Sequence, residues 1–426
     1  MSNKLFDLIK LLWPINRSLT GKGNRETLEQ LKKVNPLLKI KKTKSNTKVY
    51  DWKIPLEWNV RSAFIKDKNK NTIIDFKNNN LHLMGYSTSF NGNIKFNKLI
   101  KKINYIKSNP KAIPYTTSYY KKRWAFNMSY IDFKKLKRDE KYFVNIDTEF
   151  KKGNLNYGEI FLPGKSKKEI LFSTYICHPS LANNELSGPA VSIYLSKWLS
   201  SKKTNYSYRF IFIPETIGSI NYIKKNFKNL KQNVICIFNL TCVGDNYKTS
   251  FMPSKYGNTF ADRVAIKTLK KKGIKFTKYS WLERGSDERQ YMSALVNIPT
   301  VSVMSSKYRE YKEYHTSDDN LNFISSEGLN KNLSIHKEIV NQIEKLEFPI
   351  TKIICEPNLS KRNLYPSSSN VSKNNSKLKK LGKNINNFLS FADGTNSIED
   401  ISTLINLDLK KTKQINNLLK KKKIIY

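Results

Sequence analysis

Cysteine, histidine and acid are scarce in this chain. The four cysteines of 426 residues, Cys177, Cys236, Cys242 and Cys355, fall in no paired spacing, which excludes a cysteine-built metal module. Three of them flank apolar, strand-like runs and read as buried free thiols. No apolar run approaches the roughly 20 residues of a membrane span. The apolar stretch Leu5 to Leu12 is broken by Asp7 and Lys10 and reads as an amphipathic helix. It also lacks the long apolar region and small-residue cleavage site of a signal peptide, so a cytoplasmic location is expected. Acid is short by a wide margin, 34 residues against 77 Lys and Arg, giving a net charge of +43. Such a charge points to nucleic acid or an anionic membrane. Here, though, lysine is spread through almost every segment beside abundant asparagine and isoleucine, as a coding bias would spread it.

What is present alternates. From Tyr142 to about Leu346, apolar strand-like runs alternate with helical periodicity, which predicts an α/β fold with a mostly parallel, helix-flanked sheet. Residues 1–50 are assigned to the core's N-terminal part and 51–128 to a small β insertion, whose short runs are bounded by lysine and asparagine turns. Residues 129–355 form the main core and 356–376 a polar linker. Residues 377–426 carry three short helical patterns and a terminal Ile424-Ile425-Tyr426, as in a winged helix, with Ser397 and Asp400 spaced as a capping box.

With only four histidines, their placement is informative. His178 follows the strand-like run Glu169 to Ile176, and Glu185 follows it by seven residues, just before Ser187-Gly188-Pro189 opens a helix. Loops at the carboxyl ends of strands are the usual ligand sites of open α/β sheets. A structural, hydrogen-bonding histidine is the competing reading. Ser207–Pro214 is a second apolar strand, ending at Glu215; Val234–Leu240 is a third, ending at Thr241. Ile298–Met304 leads to Tyr314-His315-Thr316-Ser317-Asp318-Asp319. His82, in the insertion, reads as structural.

The series His178, Asn184-Glu185-Leu-Ser-Gly, Glu215, Gly285-Ser286-Asp287, Ile298-Pro299 and Tyr314-His315 resembles the ordered motifs of the co-catalytic zinc aminopeptidase superfamily. More narrowly, the chain resembles bacterial aminopeptidase-like proteins with an inserted β domain and a C-terminal winged helix. The stretches Trp13 to Gly21, Ile113 to Tyr120, Leu282 to Tyr291 and Ser306 to His315 carry that narrower likeness. The resemblance implies a zinc site with His178, Glu185 and His315 as ligands and Glu215 as general base. In two-zinc relatives an aspartate precedes an asparagine where this chain has Asn184-Glu185. A ligand glutamate follows the catalytic one where it has Thr216, and an aspartate ends the next strand where it has Thr241. One zinc ion is therefore expected over two, since two imidazoles and a carboxylate suffice for a catalytic zinc with an open position.

The remaining residues keep two readings each. Glu215 is a general base, or a first-turn carboxylate satisfied by the following helix. Asp287 orients a ligand histidine or binds substrate, or simply forms its turn. Asn184 and Tyr314 stand beside the ligands. Arg284, Arg289, Arg263 and Arg123 offer planar forks for an acidic substrate, or make surface ion pairs. Tyr115, Tyr119, Tyr120 and Trp124 wall a cleft or pack between domains. The expected function is hydrolysis of an amide in a peptide or an N-acylated sugar precursor, since relatives are associated with surface-glycan synthesis. The alternative is an inactive peptidase-like binding or regulatory protein acting through its winged helix. That domain is expected to engage a protein partner, or to serve as a structural cap, in preference to binding DNA, and homo-oligomer formation stays open.

Overall fold

The computed structural model describes residues 3–366 and 373–426, with the side chains of 373–375 outside the description. Two compact units, 1–338 and 339–426, divide the chain.

The first unit is built on an eight-stranded sheet. Its strands run in the order Lys39–Lys44, Asn154–Leu162, Ser207–Ile213, Glu169–Tyr175, Val234–Asn239, Thr300–Met304, Ser250–Met252, Thr277–Lys278. The sheet is mixed: four central strands, Ser207–Ile213 to Thr300–Met304, are parallel to their neighbours, while Asn154–Leu162 and Ser250–Met252 pair antiparallel to this block. The central strands are apolar because helices cover both faces; every residue of Glu169–Tyr175 and Val234–Asn239 is buried. Helices Ser187–Ser200, Ile217–Asn233 and Phe260–Lys271 follow strands, as the alternation predicts. The N-terminal helices Lys4–Leu12 and Lys22–Val34 pack on Ser187–Ser200.

The insertion is larger than its expected bounds. A four-stranded antiparallel sheet has the order Thr72–Asp75, Glu57–Lys66, Lys141–Lys151, Phe90–Lys95. Its longest strand, Lys141–Lys151, lies beyond the boundary expected at residue 128. The alternating burial of that strand, one face inward, was legible as a strand but not as a member of this sheet. Ile65 and Val144 of the insertion share one apolar cluster with Leu171 and Ile237 of the main sheet, so the two sheets are fused through a common core.

In the second unit, helices Lys373–Ser390, Ile398–Leu404 and Leu409–Lys421 surround Ile385, Phe388, Ile401 and Leu419. Thr351 bridges Ile425, supplying the short β element. Ser397 and Asp400 form the capping box read from their spacing. The expected linker 356–376 needs correction: Leu359 and Leu364 are buried in this same apolar cluster, so its first part packs as domain structure. The two leucines are too widely spaced among polar residues to show periodicity. Residues 367–372 of that linker lie outside the described residues.

Candidate functional site

Three loops that follow central strands carry the expected site residues. After Glu169–Tyr175 the chain reaches His178, then makes a π turn over Ala182–Leu186 that holds Glu185. Nδ1 of His178 and Oε2 of Glu185 are 2.5 Å apart, and on the other side of the ring Nε2 is 3.6 Å from Glu215 Oε2. The His315 ring lies 5.4 Å from that of His178, centroid to centroid, with Tyr314 stacked on it at 3.9 Å. Burial pushes His178 down to about 3 and His315 well below the ordinary imidazole value, keeping both neutral. Burial raises the Glu185 and Glu215 carboxyls well above theirs; for Glu215 the nearby Asp287 charge adds to it.

The residues expected to hold zinc are thus brought into one neighbourhood, but unequally. Ligand atoms of Cys177, His178 and Glu185 lie within 4.8 Å of one another, while His315 stands outside that tight group. Nε2 of His315 and Oε1 of Glu185 are buried and find no hydrogen-bond partner among the described residues. Orphaned buried polar atoms of this kind normally have an explanation in an ion or water. Two neutral imidazoles beside two carboxylates are the donor set zinc takes, so the residues fit one such ion.

The three positions at which the resemblance expects acid in two-zinc relatives carry the uncharged side chains of Asn184, Thr216 and Thr241. Asn184 Nδ2 donates to the Tyr175 hydroxyl, which is 2.5 Å from Thr241 Oγ1, and Thr241 Oγ1 donates to the Asn184 carbonyl. Thr216 accepts at Oγ1 from Arg289 Nη2 at 2.6 Å.

Several supports escaped sequence reasoning. Arg17, buried, donates from Nε to the His178 carbonyl at 3.0 Å and from Nη1 to the Leu12 carbonyl at 2.7 Å. Burial lowers its pKa to about 10, against the pull of Glu185. Its signal was the distinctive Trp13 to Gly21 stretch, which gave no role to a single arginine. Asp319 accepts from the backbone N–H groups of Asn183 and Asn184 at 2.6 and 3.0 Å, tying the His315 loop to the π turn. The insertion grips the same loop, since Tyr115 N donates to the His315 carbonyl and Ser317 N to the Ile113 carbonyl. The Tyr115 ring stands edge-on to both histidines, 4.9 Å from His178 and 5.1 Å from His315. Ser180, Thr216, Cys242 and His315 all hold positive φ, between 47° and 63°. For a β-branched residue such as Thr216 that is strained, and strain of this sort gathers at functional sites.

Asp287 does not orient a histidine. Its Oδ1 accepts from Thr216 N and Ser219 Oγ, both at 2.8 Å, so it fixes the turn after Glu215. Glu215 is no helix cap; its side chain keeps 20% of its surface open. Of the arginines, Arg289 lines the cleft, Arg284 lies exposed over Trp281, and Arg123 donates to Ser118. Arg263 donates to the Asn258 carbonyl. Trp124 is buried against Phe90 instead of walling the cleft. His82 pairs with the Asn127 carbonyl, away from the site. The cleft itself is a cavity of about 460 Å³ that joins His178, Glu215 and His315 to Tyr115, Tyr119 and Tyr120.

This sheet and these loops define an aminopeptidase-like α/β unit, accompanied by a winged helix. The chain belongs to the family described as a domain of unknown function, DUF4910, which matches residues 6–346; a winged helix-turn-helix family matches 349–426. A Clostridium acetobutylicum protein is 39% identical over 366 residues, 85% of this chain and 83% of its own; it is provisionally named a polysaccharide biosynthesis protein with aminopeptidase-like domain. A crystal structure of a provisionally named peptidase from the same organism has a TM-score of 0.80 at 35% identity, covering 100% of this chain and 96% of that one. The zinc aminopeptidase BSAP from Bacillus subtilis shares the fold, with a TM-score of 0.59 at 15% identity over 81% and 95% of the two chains. Among the described residues, no helix is long and apolar enough to cross a membrane.

Proposed function

We propose that the cleft hydrolyses an amide bond in a peptide or an N-acylated or aminoacylated sugar precursor, with one zinc ion and Glu215 as general base. The observation that carries this reading is the pairing of His178 with a carboxylate at each ring nitrogen, inside a cleft shared with His315. His178 and His315 would supply two of the ion's ligands through Nε2. Glu185, committed to Nδ1, then orients His178 from behind, in the carboxylate–histidine–metal pattern, which alters the ligand role expected of it. When bound, zinc supplies a Lewis acid for the carbonyl and acidifies water. Glu215 takes a proton from the attacking water on its Oε2 and delivers it to the departing nitrogen; burial, with the Asp287 charge beside it, raises its pKa above the ordinary carboxylate value. Arg17 fixes the backbone of His178, and Asp287 fixes the turn that aims Glu215. The name of the Clostridium acetobutylicum relative supports a place in polysaccharide biosynthesis, and we assign the reaction to the cytoplasm.

A second reading is favoured by the neutral Tyr175–Asn184–Thr241 contacts: a peptidase shell kept for binding, with the winged helix engaging a protein partner. Winged helices contact nucleic acid or protein. Metal analysis after purification without added zinc, followed by assay on aminoacyl amides and N-acetylated sugars, separates the two. Stoichiometric zinc with Glu215-dependent turnover supports the hydrolase. A metal-free protein without turnover supports the binding role.

A further inference from the structure

The cleft's charged residues are few. Among the described residues lining it, Glu215 is the one carboxylate and Arg289 the one lysine or arginine. Arg289 uses one donor on Thr216, and its Nε, buried, finds no acceptor among the described residues. Arginine presents a planar fork that pairs two N–H groups with one carboxylate or phosphate. In a chain where lysine is nearly ubiquitous, an arginine on this wall does not follow from the general bias. A second cavity, about 360 Å³, shares Tyr119 and Tyr120 with the first and is lined by Lys53, Lys121 and Lys122. No acidic residue lines it among those described. Cationic side chains, Arg289 in one cavity and Lys53, Lys121 and Lys122 in the other, therefore stand on either side of an aromatic wall whose hydroxyls and rings suit a polar ring compound.

We propose that the substrate is acidic: an amide whose carrier bears an oxyanion, carboxylate or phosphate, read by Arg289, with Lys53, Lys121 and Lys122 receiving further negative charge next to it. The proposal rests on the cleft being the substrate site and deepens the function given above.

The test is a binding titration of the full chain with three matched probes. These are N-acetylglucosamine, N-acetylmuramate, which adds a carboxylate, and N-acetylglucosamine 6-phosphate. At least one anion is expected to bind about tenfold more tightly than the neutral sugar, and which one does so tells carboxylate from phosphate. In Arg289→Gln that preference disappears while neutral-sugar affinity stays, and Arg289→Lys restores part of it. The double variant K121Q/K122Q weakens the anions and flattens their salt dependence. Equal affinity for all three probes, a preference that survives Arg289→Gln, or an equal loss for all three in both Arg289 variants overturns the proposal. Because turnover is not scored, a protein that selects anions without cleaving amides refutes hydrolysis alone. Cleavage of neutral amides without anion selectivity refutes the acidic substrate alone.

Discussion

Oε2 of Glu185 stands 2.5 Å from Nδ1 of His178, so that ring nitrogen is committed before any metal arrives and only Nε2 remains to face Glu215. A carboxylate behind a metal-binding histidine fixes its tautomer and raises its basicity, and its loss typically costs about 10–100-fold in metal affinity. Glu185→Gln is therefore expected to keep a zinc site weakened by roughly that factor, as measured by competition with a chelator. Complete loss of zinc would make Glu185 a direct ligand instead, and unchanged affinity would remove it from the site.

Glu215→Gln is expected to lower kcat by about 10²–10⁴-fold on any amide the protein cleaves while leaving metal content intact. Turnover and metal analysis on one preparation check this. Undiminished turnover would assign the base elsewhere.

His336 links acid stability to burial. It is fully buried, with Nδ1 on the Asn332 carbonyl, and burial lowers its pKa from 6.5 to about 4. A histidine held neutral in the folded state binds its proton only on unfolding. Its contribution is thus complete above pH 6.5 and is lost as pH falls from there toward about 4. Between pH 7 and pH 5 this one group should cost ~2 kcal/mol of stability. Denaturant unfolding at the two pH values should show a smaller drop in His336→Gln than in the parent protein.

The packing of 359–364 gives a prediction for the winged-helix unit. Leu359→Ala should destabilise it by about 2–5 kcal/mol, because the side chain sits in that unit's apolar cluster. Thermal unfolding followed by a probe in residues 377–426 would register this. A free linker would give no change.

The sequence made the framework legible where periodicity was strong. The buried strands ending at Tyr175, Ile213 and Asn239 could be read from apolar runs, and the helix after the first of them from Ser187-Gly188-Pro189. Their loops were then the natural home of His178, Glu215 and Thr241. Lys141–Lys151 shows the limit: its pattern marks a strand, but partner strands 57–66 and 90–95 are far away in sequence, and pairing leaves no local trace. Arg17 and Asp319 were illegible for a related reason. Each acts through backbone groups, on the His178 carbonyl and on the N–H groups of Asn183 and Asn184, and backbone contacts impose no residue type on the other side. The roles of Glu185 and Asp287 depended on which atom faces which, and spacing carries no such information.

The most direct test of the account is zinc stoichiometry on the purified full chain, measured by elemental analysis for the parent protein and for His178→Ala combined with His315→Ala. One zinc per chain is expected in the parent and none in the double variant. A parent chain that takes up no zinc when it is supplied, or a double variant that retains the ion, would contradict it.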